Sequence, residues 1–352
     1  MIKEIKLIST AKRILLVCDL LHKPVKMFIH HGPKMAKGFI RLGHDARLFS
    51  YTGVLQELSR FKSRTLSRFF YKQKADEVLA ADIKAYRPDI VYVCFPRVLN
   101  ADTVEQMRKA APNAVFIGFD GDIWPALRGK RIEIAKKLDI LVATNDGESL
   151  QAYKTAGMPK CVFIPNLCDP DVDHRYDVEE KWKKDILWTG LIMHDRKRYP
   201  GEELRYELVS RIAEMPNCAV YGCSGRPQIG GLDYLYAISG AKIGLSINGD
   251  NNIRLYHSDR ITNYLSGGTF VLAKRVPDTD LLFKDRLHLR YFDTADEFFE
   301  LAKWHLQHET ERKIIADAGM NWTHQQYNCV KIAGYILDLV EKGEYSAPWN
   351  QV

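Results

Sequence analysis

The sequence predicts an α/β protein built from two doubly wound parallel-sheet units that face one cleft. Three observations carry this expectation. Short apolar runs alternate with helical patterns along most of the 352 residues. The runs are continuous in Val, Ile and Leu rather than alternating apolar with polar, as expected of strands covered on both faces. The whole alternation then occurs a second time beyond 165–184 (PNLCDPDVDHRYDVEEKWKK), a polar, proline-containing stretch without periodicity. A chain of this length is long for one domain and comfortable for two.

In the first half, strands are expected at 13–18 (RILLVC), 46–50 (ARLFS), 89–94 (DIVYVC), 114–118 (AVFIG), 139–143 (DILVA) and 161–164 (CVFI). Helical patterns lie between them at about 33–43, 75–86, 101–110, 129–137 and 147–156. Strand–helix alternation of this kind implies a parallel sheet with helices on both faces. In the second half, strands are expected at 185–189, 218–221, 242–247, 269–273 and 287–291, and helices at 202–214, 231–239, 259–266, 294–306 and 309–318. Thr294 with Glu297 is a capping-box signature. A last helical stretch, about 323–342, is long enough to reach back across both units. The expected divisions are 1–168, 169–335 and a tail 336–352 that packs on the first unit.

Composition excludes several classes. No apolar run approaches the roughly 20 residues of a membrane span, and the first 20 residues lack a signal-peptide layout, so a cytoplasmic protein is expected. The seven cysteines form no C-x-x-C pair and are odd in number, which fits reduced, buried thiols better than disulfides or zinc. The net charge of +7 favours anionic partners without choosing among nucleotide sugars, anionic lipids and nucleic acid.

The segment that speaks most directly to function is 241–274, AKIGLSINGDNNIRLYHSDRITNYLSGGTFVLAK. It reads as a buried strand, a polar loop, a short helix opening at Ser258, a Gly267-Gly268 stop and a second buried strand. A helix start aimed from the carboxyl edge of a parallel sheet attracts an anion through its free N–H groups and dipole, and Arg260 in the first turn adds a charged fork. Open α/β sheets bind ligands at that edge, so two facing sheets place two substrates in one cleft.

The run from Arg260 to Gly268 resembles the R-x-x-E-x-x-x-x-G segment of nucleotide-sugar glycosyltransferases of the GT-B fold, and the wording nearby is closest to their spore-maturation CgeB-like branch. MAKGFIRLGHDARLFSY (35–51), RPDIVYV (87–93), IPNLCDP (164–170) and LWTG (187–190) are similar, in that order, to other GT-B segments, so the resemblance covers nearly the whole chain. It implies two Rossmann-like domains, the first binding the acceptor and the second a nucleoside-diphosphate sugar, with a C-terminal helix crossing back. It also implies metal-independent hexosyl transfer, with the nucleotide sugar as co-substrate and no further cofactor. The chain departs from the retaining members' glutamate pair: Asn263 stands at the second position and Leu255 at the first. Asn263 can still bond a ribose hydroxyl, without charge assistance.

Arg260 is the leading diphosphate ligand, the alternative being a surface arginine paired with Asp259 or a sheet-edge carbonyl. Gly190 ends a strand and lets backbone approach a phosphate; Arg198 in the following basic cluster is the second expected phosphate ligand. Tyr221 and Gly222 follow a strand where the resemblance puts the base-binding loop, and Tyr221 either stacks on a base or is a buried strand-end tyrosine. Asn248 either contacts donor or starts a turn. Gly267 and Gly268 fall within the resembling donor segment, and helix termination also explains them. His31, at a helix start on the cleft side, has an ordinary pKa suited to a general base. Asp122 of the Asp120-Gly121-Asp122 turn is the alternative base, and a weaker candidate is Asp19. The Asp-x-Asp spacing resembles metal-dependent transferases of another fold, but no metal is expected.

Residues 58–74 (LSRFKSRTLSRFFYKQK) carry six basic residues and no acid, interleaved with Leu58, Phe61, Leu66, Phe69 and Phe70. Two readings stand side by side: a peripheral contact with an anionic membrane, or a helix that buries its aromatics and solvates its charges. No nucleic-acid motif accompanies the patch. The resulting expectation is a transferase acting on a glycan or lipid-linked acceptor in surface polysaccharide or glycoconjugate synthesis. The alternatives are a nucleotide-sugar 2-epimerase on the same fold or a non-catalytic binding protein.

Overall fold

The computed structural model describes residues 11–18, 20, 31–61, 63–94, 99–121, 129–192 and 202–350. The apolar runs of the first half form β1 (Arg13–Cys18), β2 (Asp45–Ser50), β3 (Ile90–Cys94), β4 (Val115–Asp120), β5 (Ile140–Ala143) and β6 (Cys161–Phe163). They pair in parallel in the order β2-β1-β3-β4-β5-β6. Their continuity in Val, Ile and Leu has its expected cause: β1, β3 and β5 are buried on both faces, whereas the edge strand β2 is largely open. The connecting helices are α1 (His31–Arg41), α2 (Tyr51–Leu58), α3 (Arg64–Tyr86), α4 (Ala101–Ala110), α5 (Gly129–Ala135) and α6 (Glu148–Thr155).

The second half builds β7 (Lys184–Thr189), β8 (Ala219–Tyr221), β9 (Ala241–Ser246), β10 (Phe270–Lys274) and β11 (Arg290–Phe292), again all parallel, in the order β11-β10-β9-β7-β8. Its helices are α7 (Glu202–Glu214), α8 (Leu232–Gly240), α9 (Asp259–Ser266), α10 (Ala295–Gln307) and α11 (Glu309–Gln326), followed by α12 (Cys329–Glu341). Each sheet therefore has a topological switch point, between β1 and β3 in the first and between β7 and β9 in the second, where such sheets open a crevice at their carboxyl ends.

Three elements differ from the sequence reading. Helix α2 was not anticipated; the Ser50 hydroxyl caps it by accepting from Gly53 N. The helical stretches expected at 58–74 and 75–86 are one helix, α3, which begins at Arg64 because Ser63 caps it there. The last helical stretch is two helices, not one: Asn328 accepts from Lys331 N and starts α12 afresh, while its backbone pairs with Cys168 of the inter-sheet segment.

The crossing is made by α12, which packs on α1. The helices approach so closely at Gly38 that a Cβ there would stand 2.2 Å from the Cys329 carbonyl oxygen. The segment between the sheets is tied to α1 as well. Lys34 reaches Asp173 at 2.6 Å, Lys37 reaches Asp169 at 2.6 Å, and Arg41 pairs with Asp171. One apolar cluster runs without interruption from the first sheet through Ile164 and Leu167 to the second sheet and α12. Separate clusters fill the outer faces of the two sheets.

The carboxyl edges face each other where the loop after β5 meets the loop after β9. Asp146 N donates to the Arg254 carbonyl at 3.0 Å, and the two side chains form an ion pair. Asn166 Nδ2 donates to the His257 carbonyl at 2.7 Å.

Candidate functional site

Helix α9 starts at the carboxyl edge of the second sheet, and its first turn aims Arg260 back over the strand ends. The guanidinium donates from Nε to the Thr189 carbonyl at 2.6 Å and from Nη1 to the Ile247 carbonyl at 3.1 Å. Those carbonyls end β7 and follow β9, so Arg260 bridges the switch point itself. It lies over the indole of Trp188, Cζ 4.0 Å from the ring centroid. Among the described residues its bonding partners are carbonyl oxygens and the Ser258 hydroxyl, not a carboxylate. The positive charge is oriented but not neutralised, which suits an anion from the cleft. The sheet-edge carbonyl alternative is thus part of how the arginine is held.

Gly190 and Gly222 stand beside it. Gly190 has φ +152°, and a Cβ there would fall 2.5 Å from Arg260 Nη2. Gly222 has φ +88°, and a Cβ there would meet the Gly190 oxygen at 2.8 Å. The two strand-end turns are therefore in contact, and Gly190 N donates to the Tyr221 carbonyl at 3.0 Å. The Tyr221 ring is half-buried and packs against the main apolar cluster, which is the strand-end alternative.

Asn248 joins the same edge, but its amide is committed to the loop. Nδ2 donates to the Tyr256 carbonyl at 3.0 Å and Oδ1 accepts from Ser258 N at 3.1 Å. It sets where α9 begins and hence where Arg260 points. Asn263 is buried and donates to the Tyr234 hydroxyl at 3.3 Å, facing α8 rather than open space. Leu255 carries φ +56°, an unusual backbone state for a branched aliphatic residue, with its N–H bonded to the Pro277 carbonyl. Gly267 and Gly268 lie at the other end of α9, towards the amino edge of the sheet. There their N–H groups close the helix on Asn263 and Leu265 carbonyls, and Cβ atoms would strike Ile238 and Arg175. The eight-residue helix, about 12 Å long, separates them from Arg260, so they end the helix rather than join the cluster. Arg198, Asp122 and Asp19 lie outside the described residues.

At the first sheet's switch point stands His31. Its Nε2 is 2.7 Å from the Tyr92 hydroxyl, and its ring stacks on Phe119 at 3.6 Å. Desolvation, and then the charge of Lys34, lower its pKa to about 3. The expectation of an ordinary histidine pKa fails here: the imidazole is neutral at pH 7, and its conjugate acid is too strong to hold a substrate proton. Beside it Cys18 and Cys94 end adjacent strands, and the Cys94 thiol is pushed well above its usual range by its hydrogen bond to Cys18 and by burial. Asp120 is committed as well, receiving Arg131 Nη1 at 2.8 Å and the Tyr153 hydroxyl at 2.8 Å. Among the described residues no group of three or more His, Cys, Asp or Glu is placed to hold a metal ion.

Sequence reasoning missed the residues that hold Arg260. Trp188 and Thr189 lie inside the LWTG segment, and a tryptophan two residues before a strand-ending glycine was the available signal. Tyr264, whose hydroxyl is 2.9 Å from Thr189 Oγ1, gave none.

Residues 197–338 match a family model described as glycosyl transferase-like. No protein of curated function matches the chain in sequence. Similar solved structures include a glycosyltransferase from Rickettsia africae, at 13% identity and TM-score 0.61, covering 95% of this chain and 98% of that one. The Anabaena protein Alr3699/HepE, solved with UDP-glucose, has 11% identity and TM-score 0.60, covering 94% and 100%. TarM has 9% identity and TM-score 0.62, covering 96% and 100%. The chain has the GT-B fold, two parallel-sheet Rossmann-like domains with a helix crossing back. Its second domain carries the glycosyl transferase-like segment.

Proposed function

We propose that the chain is a glycosyltransferase that moves a hexose from a nucleoside-diphosphate sugar to a glycan or lipid-linked acceptor, without a metal. The observation that carries this reading is Arg260, held over the second sheet's switch point by two backbone carbonyls and an indole, with no carboxylate bonded to it among the described residues. The family model and the neighbour solved with UDP-glucose support the donor class. The reaction is displacement at the anomeric carbon: the acceptor oxygen forms the new bond as the sugar–diphosphate bond breaks, and the leaving diphosphate takes the electron pair. Arg260, with Arg198 as second ligand, stabilises that charge, and backbone at Gly190 and Gly222 lets the phosphates come close. In an inverting reaction the acceptor proton passes to a base. With His31 suppressed to a pKa of about 3, that base is Asp122. We place the enzyme in the cytoplasm, in surface glycan or glycoconjugate synthesis, within the CgeB-like branch.

Thermal shift with UDP, GDP, dTDP, CMP and their sugar conjugates, run on the wild type, Arg260→Ala and Arg260→Lys, tests the reading. One nucleotide should raise Tm in the wild type, not in Arg260→Ala, and weakly in Arg260→Lys. No shift with any nucleotide would overturn it. Sugar analysis after incubation without acceptor separates transfer from 2-epimerisation, which alone changes the donor sugar.

A further inference from the structure

The turn before α3 and the first two turns of that helix expose an unusual surface. Phe69 is 80% exposed, Phe70 60%, Leu66 43% and Phe61 42%. The phenylalanines form one patch: ring centroids lie 5.0 Å apart for Phe69 and Phe70 and 5.4 Å for Phe61 and Phe70. The cause lies in the helical register. Ser67, Ala75, Leu79 and Ile83 turn inward, which leaves Leu66, Phe69 and Phe70 on the outer face, where an amphipathic helix ordinarily carries polar residues. Further along the helix that face does become polar, at Gln73, Lys74 and Glu77. The reading in which the aromatics are buried in the domain therefore fails for these four residues.

Within the segment that carries the patch the charge has one sign, with Glu57 and Glu77 flanking it. Residues 58–74 hold six basic side chains and no acid. Arg60 and Lys74 are exposed beside the rings, while Lys72 is tied to Asp76 and Thr103. The positive field continues to Lys130 at the start of α5, whose pKa is lowered by desolvation and by the charges of Arg68 and Lys72. Because α2 leaves the carboxyl end of β2 and α3 runs back to the start of β3, this end of α3 lies at the same sheet edge as His31. A free phosphate would account for the charges but leave the phenylalanines unexplained. An acidic protein surface would account for both only by supplying an apolar pocket as well. An anionic bilayer supplies headgroup charge and an apolar interior at the depth the rings need.

We infer that the outer face of α3 around Phe61, Leu66, Phe69 and Phe70 docks on an anionic lipid surface. The rings enter the headgroup boundary, and Arg60 and Lys74 pair with the headgroups. The docking rests on α3 alone. What it adds to the transferase reading is an acceptor presented at a membrane, beside the acceptor-side sheet edge. No helix among the described residues is long and apolar enough to cross a membrane, so the contact is peripheral.

Flotation of the full chain with neutral phosphatidylcholine vesicles and with vesicles containing 30% phosphatidylglycerol (roughly the anionic fraction at which surface charge attracts basic patches) tests this. The protein should float with the anionic vesicles only. Phe69→Ser/Phe70→Ser, and separately Arg60→Glu/Lys74→Glu, should each lower the bound fraction by about tenfold or more, with Tm and any nucleotide-induced shift unchanged. No flotation with anionic vesicles would overturn the inference, as would flotation that the Phe69→Ser/Phe70→Ser change leaves intact. A lipid-independent dimer that this change dissociates would assign the patch to a second copy and overturn it equally. Neither variant touches the Arg260 cluster, so failure here leaves the donor reading to its own test.

Discussion

The two switch points are built from the same sheet geometry and filled in opposite ways. In the second sheet the crevice between β7 and β9 holds Arg260, permanently charged and bonded to Thr189 and Ile247 carbonyls. In the first, the crevice between β1 and β3 holds His31 on Phe119, its pKa lowered by desolvation, and beside it Cys18 and Cys94, the Cys94 thiol pushed well above its usual range. The nearby carboxylate, Asp120, is used internally by Arg131 and Tyr153. One edge thus presents an oriented positive charge, the feature on which the proposed donor site rests. Among the described residues the other offers a partly aromatic floor with a neutral imidazole and a committed carboxylate. A diphosphate common to many donors can be met by backbone and one arginine, whereas an acceptor needs contacts particular to it.

The sharpest way to break this contrast is at Asp120. Asp120→Ala removes the carboxylate that Arg131 and Tyr153 share beneath the first edge, and should cost about 3 kcal/mol or more of stability, read by denaturant unfolding, without altering donor affinity per folded molecule. A stable variant with weakened nucleotide binding would show that the edges are not separate in function.

At the charged edge, Gly190→Ala places a Cβ 2.5 Å from Arg260 Nη2. The guanidinium must move, and nucleotide affinity by calorimetry should fall about tenfold, the scale of one displaced charge-assisted bond, with a smaller change in Tm. Unchanged affinity would mean that the arginine's exact position is unimportant.

Buried neutral histidines make the fold acid-sensitive. His257 has its pKa lowered to about 3 by desolvation, and His31 is lowered likewise. Between pH 6.5 and the folded-state values the unfolded chain binds protons that the folded chain refuses, so stability falls as pH falls. For His257 this amounts to about 1–2 kcal/mol by pH 5. His257→Gln should flatten the Tm profile between pH 7 and 5; an equally steep profile would place the sensitivity elsewhere.

The smallest effect is expected where the two edges touch. Arg254 pairs with Asp146 across the cleft and with Asp278 at 2.5 Å, but these groups are partly exposed. Arg254→Ala should change stability by no more than about 1 kcal/mol. A clearly larger loss in unfolding experiments would show that this contact holds the domains in register.

Much of the fold was legible because its causes are local. A run such as IVYVC in β3 is apolar on both sides because helices cover both faces, and it reads so in isolation. The capping serine before α2 is equally visible, but no helix is expected there from the sequence; the basic stretch 58–74 does read as helical, and its continuity with 75–86 as one helix starts from the Ser63 cap. Of the expected donor cluster, Gly190, Tyr221, Gly222, Asn248 and Arg260 do come together, since each sits at a strand end or helix start and parallel sheets gather those at one edge. Gly267 and Gly268 do not, because a helix carries its last residue away from its first.

The sequence by itself determined the two parallel sheets, the joint between them and the arginine at the start of α9. Each follows from hydrophobic period, turn chemistry and residue type over a short window. Only the tertiary structure decided the state of the groups so placed: that Arg260 is clamped by Thr189, Ile247 and Trp188, that His31 loses its basicity on Phe119, that Asn263 turns to Tyr234, and that Phe69 and Phe70 face outward. Burial, desolvation and hydrogen-bond partners come from residues distant in the chain, and no local pattern encodes which of them will meet.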